Sequence, residues 1–169
     1  MGSAPMHRRG PGRSGGRAEG FGLIRTVRRA ASIGMATCIF VASGLEFAVD
    51  DYLRRSPFKA MTVFRKGTVP QKDNPHGLPR PDSGFCVLVG DETPGGMRTQ
   101  VQNALQFLIR HDTELRRIQK VGVDNMLFDF GVARSHDLQE AEYFPPELIQ
   151  AMAQLGMGMI TSTVLLPQG

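Results

Sequence analysis

Of the polar residues in this chain, the run Arg65-Lys66-Gly67 carries the most chemical promise. Two cations leave the end of an apolar run, and the glycine after them permits a sharp turn. Such a turn can meet an anion or an acidic partner, or it can do no more than solvate the end of a strand. Asp129 and His136 are titratable residues that a fold could bring to the same concave place, so Arg65, Lys66, Asp129 and His136 form the candidate binding set. Nucleophilic catalysis has less to work with. Cys38 and Cys86 each lie inside an apolar run, where a thiol usually serves as a small buried hydrophobe. They are expected to be a cytoplasmic thiol pair, with a disulfide open only if the sheet brings them together.

Other combinations fail on spacing. His7, His76, His111 and His136, with the two cysteines, show no C-x-x-C or H-x-x-x-H pattern, so no metal site is expected. Asp129-Phe130-Gly131 spells a triplet found in protein kinases, but neither a glycine-rich loop nor a catalytic loop accompanies it, and the chain is too short for that fold. The stretch from Gly90 to Gly96 lacks phosphate-loop spacing, and its Asp91-Glu92 pair would repel phosphate; it reads as a turn. Asp124 and Asp129 are five apart on one strand and face opposite ways, so they make no paired-carboxylate site. No catalytic residue and no cofactor are expected, and binding is favoured over enzymatic activity.

The elements that must position these residues follow from apolar periodicity. Ala36–Val41 is a compact apolar run rich in strand formers. Leu45–Arg55 shows helical spacing until Pro57 stops it, and Met61–Phe64 reads as a second strand. Residues 67–83 carry four prolines and read as a long irregular loop, a length usually tied to function or disorder. Phe85–Val89 is a third strand. An apolar stripe then predicts a helix from about Arg98 to Lys120, with Asp112 as an N-cap that would split it in two. Met126–Phe130 is a fourth strand, Pro145-Pro146-Glu147 starts a helix that Gly156 ends, and Met159–Leu166 is a fifth strand. The order βαββα(α)βαβ predicts an α+β fold: a two-layer sandwich with three or four helices on one face of a mostly antiparallel five-stranded sheet.

Charge divides the 169 residues unevenly. The whole chain carries 20 Lys+Arg against 16 Asp+Glu, a net +4. Residues 1–34 hold seven arginines and one glutamate, a balance of +6, so the remaining 13 basic and 15 acidic residues give −2. Residues 1–34 are therefore expected to be a disordered Arg/Gly-rich extension or a mis-assigned start ahead of Met35, and residues 35–169 a single α+β domain. Two other readings of the extension are an arm that binds RNA through its arginines and a targeting segment, since Arg25, Arg28 and Arg29 precede an apolar run. That run is short of the roughly 20 residues a membrane span needs. The domain itself is expected to be cytoplasmic, without a membrane, and its mildly acidic balance argues against nucleic acid as its partner.

Several of these segments together resemble a known family. A strand ending in Ser43-Gly44, an acidic helix ending in Leu53-Arg54-Arg55-Ser56-Pro57, the turn Phe64-Arg65-Lys66-Gly67, and Phe144-Pro145-Pro146-Glu147-Leu148-Ile149 running to Leu155-Gly156 are similar to a bacterial family of small domains of unknown function. In that family an RKG-like turn follows the second strand and a PEL-type helix precedes the last. The resemblance spans about residues 36–166 and implies an intracellular domain without an assigned reaction, some members resembling immunity proteins that neutralise a toxin. The leading expectation is thus a non-enzymatic protein-binding domain of immunity or regulatory type. The alternatives are a small-ligand binder or enzyme built on the Arg65/Lys66 turn and the Pro-rich loop, and an RNA binder acting through its Arg-rich extension.

Overall fold

The computed structural model describes residues 37–69, 78–90, 96–134 and 142–165. Residues 1–36, His76 and His136 lie outside the described residues, as does most of the stretch from Gly90 to Gly96. Five strands, β1 (Cys38–Gly44), β2 (Thr62–Phe64), β3 (Ser83–Val89), β4 (Asn125–Arg134) and β5 (Gly158–Leu165), alternate with three helices, α1 (Val49–Leu53), α2 (Met97–Ile118) and α3 (Pro146–Gln154). The sheet order is β2-β3-β1-β4-β5. All neighbours are antiparallel except β4 and β5, which are parallel and joined through α3. This is the expected α+β architecture.

Strand β1 occupies the centre of the sheet because its sequence has no polar side to turn outward. All seven residues of Cys-Ile-Phe-Val-Ala-Ser-Gly are buried, the pattern of a strand covered on both faces rather than one. Phe40 stands opposite Val87 of β3 and Phe128 of β4, and on that face the core forms from Phe85, Phe107, Phe128 and Phe130 together with Leu115, Ile118 and Leu148. The helices all contribute to this one core, so they form a single layer over one face of the sheet. Among the described residues no helix is long and apolar enough to cross a membrane.

The long helix is not split. Asp112 does not cap a second helix; its carboxylate accepts two hydrogen bonds from Arg116 Nε one turn later, at 3.0 and 3.1 Å. That i,i+4 pairing supports the helix through the position where a break was expected, and the described residues hold three helices. The helix α3 begins as its prolines and Glu147 predict, with Pro146 in the first turn and Leu148 and Met152 buried.

The two cysteines sit on opposite faces. Cys38 belongs to the helix-side core, whereas Cys86 joins Ile39, Val41 and Phe64 in a second buried cluster. Cys86 is registered with Val41 and Cys38 with Val89, so both thiols are free. Gly84 is what lets this second cluster close. It lies opposite Phe64, and a Cβ at this position would run into the Phe64 ring and the carbonyl oxygen of Ala42. Gly84→Ala is expected to displace the Phe64 ring and lower stability by about 1–3 kcal/mol, measured by chemical denaturation; a cost within experimental error would show that the ring is free to move.

Candidate functional site

The Arg65-Lys66-Gly67 turn forms as its residues predict, with Gly67 at a φ of +80° that a side chain would disfavour. Its two cations are spoken for. Arg65 grips Asp50 with both Nε and Nη2, at 2.8 and 2.7 Å. Lys66 Nζ donates to Glu46 Oε1 at 2.7 Å and to the Leu45 carbonyl at 3.1 Å, while its backbone N–H donates to Ser83 Oγ. Asp50 is held below the usual carboxylate range, first by the Arg65 hydrogen bond. The turn therefore ties β2 to α1 through Asp50 and to the segment between β1 and α1 through Glu46. Both pairs are solvent-exposed, Glu46 most of all.

Asp129 is far from that turn. It lies on β4, three strand positions from β2, which at the usual strand spacing is about 14 Å across the sheet. Its side chain is buried among the residues of the sheet face opposite the helices, where Ser162 Oγ of β5 donates to Oδ2 at 2.9 Å. The structure thus separates Asp129 from Arg65 and Lys66, and His136 lies outside the described residues.

The same face holds two groups that the sequence reading did not select. The Arg80 guanidinium lies over the Phe64 ring, 4.2 Å from its centroid. Cys86 is nearby: burial pushes its thiol up to about 12, with Arg80 pulling the other way and Asp129 adding to the rise. Cys38 is also raised well above the ordinary thiol range, by burial first and then by Asp129. Both thiols are protonated at neutral pH, and neither supplies a thiolate nucleophile. Among the described residues no group of three His, Cys, Asp or Glu side chains could hold a metal ion. Arg80 had a weak signal in the sequence: it stands between Pro79 and Pro81, and a residue before proline is driven into extended backbone.

On the helix side, Glu114 of α2 gathers three donors. Tyr52 Oη reaches Oε1 at 2.5 Å, Ser56 Oγ reaches it at 3.3 Å, and Arg117 forks onto both oxygens at 2.6 and 2.8 Å. Arg117 also lies over the Tyr52 ring. This knot fastens α1 to α2, and the donors hold Glu114 below its ordinary range, Arg117 most strongly. His111, one turn earlier, packs its ring against Phe107 and Phe58 at 4.6 and 5.0 Å. Burial, then Arg110, lowers its pKa.

An open cleft of about 470 Å³ lies where the start of α2 meets the segment leading into α3. Met97, Val101, Leu105 and Pro145 give it an apolar lining, Arg98 and Glu142 contribute one charge of each sign, and Tyr143 completes it. Tyr143 is 72 % exposed, as is Ile109 further along α2, and Ile149 of α3 is also exposed. Nothing in the sequence pattern marked Tyr143, because a lone aromatic in a connecting segment has no periodicity. Comparison with protein-family models, curated proteins and solved structures returns no match to the chain.

The lowered pKa values of His111 and Glu114 set a pH dependence. Each group binds its proton more tightly in the unfolded chain, so each contributes stability that is present above its unfolded pKa and lost as pH falls through the folded one. Unfolding midpoints should therefore begin to fall below a pH of about 6.5 through His111 and fall further below about 4.3 through Glu114. His111→Phe should remove the first decline and Glu114→Gln should shrink the second, in which Asp50 also takes part, with Glu114→Gln also costing about 1–2 kcal/mol at neutral pH from the weakened knot. Urea midpoints across the pH series check this, and identical profiles in the variants would refute the assignment.

Proposed function

We propose that this chain is a protein-binding domain that acts by docking a partner rather than by catalysis. Tyr143 carries the reading: a large, amphipathic side chain held exposed beside an apolar cleft is the kind of residue that anchors protein interfaces. The exposed Ile109 and Ile149 extend the apolar character of the helix layer beyond the cleft itself. A specific partner needs about 800 Å² on each side, which the helix layer can offer. The opposite charges of Arg98 and Glu142 would orient that partner rather than select a strongly acidic or basic one.

Two further observations support binding over chemistry. The cations of the RKG turn are engaged in ion pairs, and both thiols are held protonated. The free, buried cysteines fit a reducing compartment, in keeping with a cytoplasmic protein. The resemblance to the bacterial family with immunity-like members supports a partner of that type, a toxin or a regulated enzyme.

The test is affinity capture from the source organism with the full chain, beside Tyr143→Ala. The wild type should recover one protein stoichiometrically, and the variant should bind that protein at least about thirtyfold more weakly, as loss of an anchoring aromatic does. Absence of a stoichiometric protein, or unchanged affinity in the variant, would overturn the reading.

A further inference from the structure

The sheet ends on two unlike edges. On one side β2 is three residues long, with Lys59 shortly before it and Arg65 and Lys66 directly after it. Shortness and flanking charge are common means of blunting an edge. On the other side β5 runs for eight residues, Gly-Met-Ile-Thr-Ser-Thr-Val-Leu, with no charged residue and no proline. It pairs with β4 along its whole length, from Gly158 opposite Leu127 to Leu165 opposite Arg134. Among the described residues nothing pairs with its outer side. Alternate residues of β5 therefore direct their N–H and C=O groups outward, a row of donors and acceptors onto which a further strand can add.

The side chains leave that edge open. Met159 packs against the helix-side core, which places Thr161 and Thr163 on the same face by the two-residue period of a strand. Both threonines are exposed. Helix α3 stops short of them. The parallel crossover returns it alongside β5 with its end near Gly158, and its nine residues rise about 13 Å where the eight of the strand extend about 26 Å. On the opposite face Ser162 is buried and donates to Asp129 of β4. We propose that β5 is the interface of a homodimer, in which a second copy of this chain adds its own β5 antiparallel to the first and doubles the five-stranded sheet.

The strand suits a copy of itself. A two-fold axis perpendicular to the sheet runs the two strands antiparallel, keeps the helices of both copies on one side, and closes the assembly at two chains. Directly opposed residues of an antiparallel pair share a face. An axis through Ser162 satisfies this, setting Ser162 opposite itself and Thr161 opposite Thr163 of the second copy, twice. Cross-strand threonine pairs are favourable, and an uncharged strand meets no repulsion from itself. The same axis places the two α3 helices on opposite sides of it, because each covers only the Gly158 half of its strand. A strand from a different, charged protein would find no charge on β5 to select it. The interface uses no residue of the cleft beside Tyr143 and stands independently of the docking reading.

Sedimentation equilibrium of the full chain over a concentration series tests this. The wild type should reach twice the chain mass and stop there. Thr161→Lys/Thr163→Lys places like charges opposite each other at both threonine pairs, and should dissociate at least about tenfold more readily with an unchanged far-UV circular dichroism spectrum. Thr161→Glu/Thr163→Glu should behave in the same way. An equimolar mixture of the two variants should associate more tightly than either alone, because lysine then faces glutamate; a merely unfolded variant would show no such rescue. A monomeric wild type, a mass that keeps growing beyond two chains, unchanged association in both variants, or no gain on mixing would each overturn the proposal. So would a dimer that Tyr143→Ala abolishes and the β5 variants leave intact, since the copies would then meet at the cleft.

Discussion

The ring of Phe40 holds the molecule together. From the middle of the central strand it meets Phe85 of β3, Phe128 of β4, Phe107 of α2 and Phe58 of the segment after α1, with centroid separations of 5.3 to 6.2 Å. Four elements thus converge on one side chain that has no accessible surface. Edge-to-face and tilted contacts of this kind add to the burial of apolar area and are sensitive to ring placement. The register of β1 with both neighbours is therefore tightly specified: a slip by one residue would move Phe40 to the other face and scatter the cluster.

That constraint leaves the two faces of the sheet with different characters. The helix face is filled by aromatic and aliphatic side chains; its polar groups include the buried Gln100, which donates to the Gly131 carbonyl, and at the margin Glu114, Tyr52, Ser56 and Arg117, which bond to one another. The opposite face combines Ile39, Val41, Phe64 and Cys86 with groups that carry charge or hydrogen-bonding capacity, Arg80, Asp129 and Ser162. In a medium of low dielectric, polar groups that are fully satisfied specify a unique arrangement, and those that are not are candidates for function.

The strands and helices were legible in the sequence wherever an apolar run or a 3.6-residue stripe exceeded the reach of its neighbours. The central run Ile39 to Val41, the Leu148 and Met152 face, and the glycine of the Arg65-Lys66-Gly67 turn all carry local signals, and all form as expected. What stayed hidden is non-local. Arg65 and Lys66 look available in the chain because Asp50 and Glu46, which neutralise them, lie 15 and 20 residues away. Tyr52 and Glu114, 62 residues apart, give no sign of meeting. Asp112 misled for the opposite reason: its local capping preference was overridden by an equally local partner, Arg116. Arg80 escaped notice because it sits among prolines that mark a loop, and the ring beneath it comes from another strand.

The position of β1 in the sheet also has a consequence for synthesis. The strand is early in the chain, yet both of its partners follow it: Cys38 pairs with Val89 on one side and with Phe130 on the other. At ordinary elongation rates, the interval between making Cys38 and making Phe130 is on the order of five to twenty seconds. Throughout that interval the most apolar strand of the protein has an open edge on at least one side. The arrangement that makes the finished core compact therefore obliges the nascent chain to be shielded by the ribosome or a chaperone until β4 has emerged.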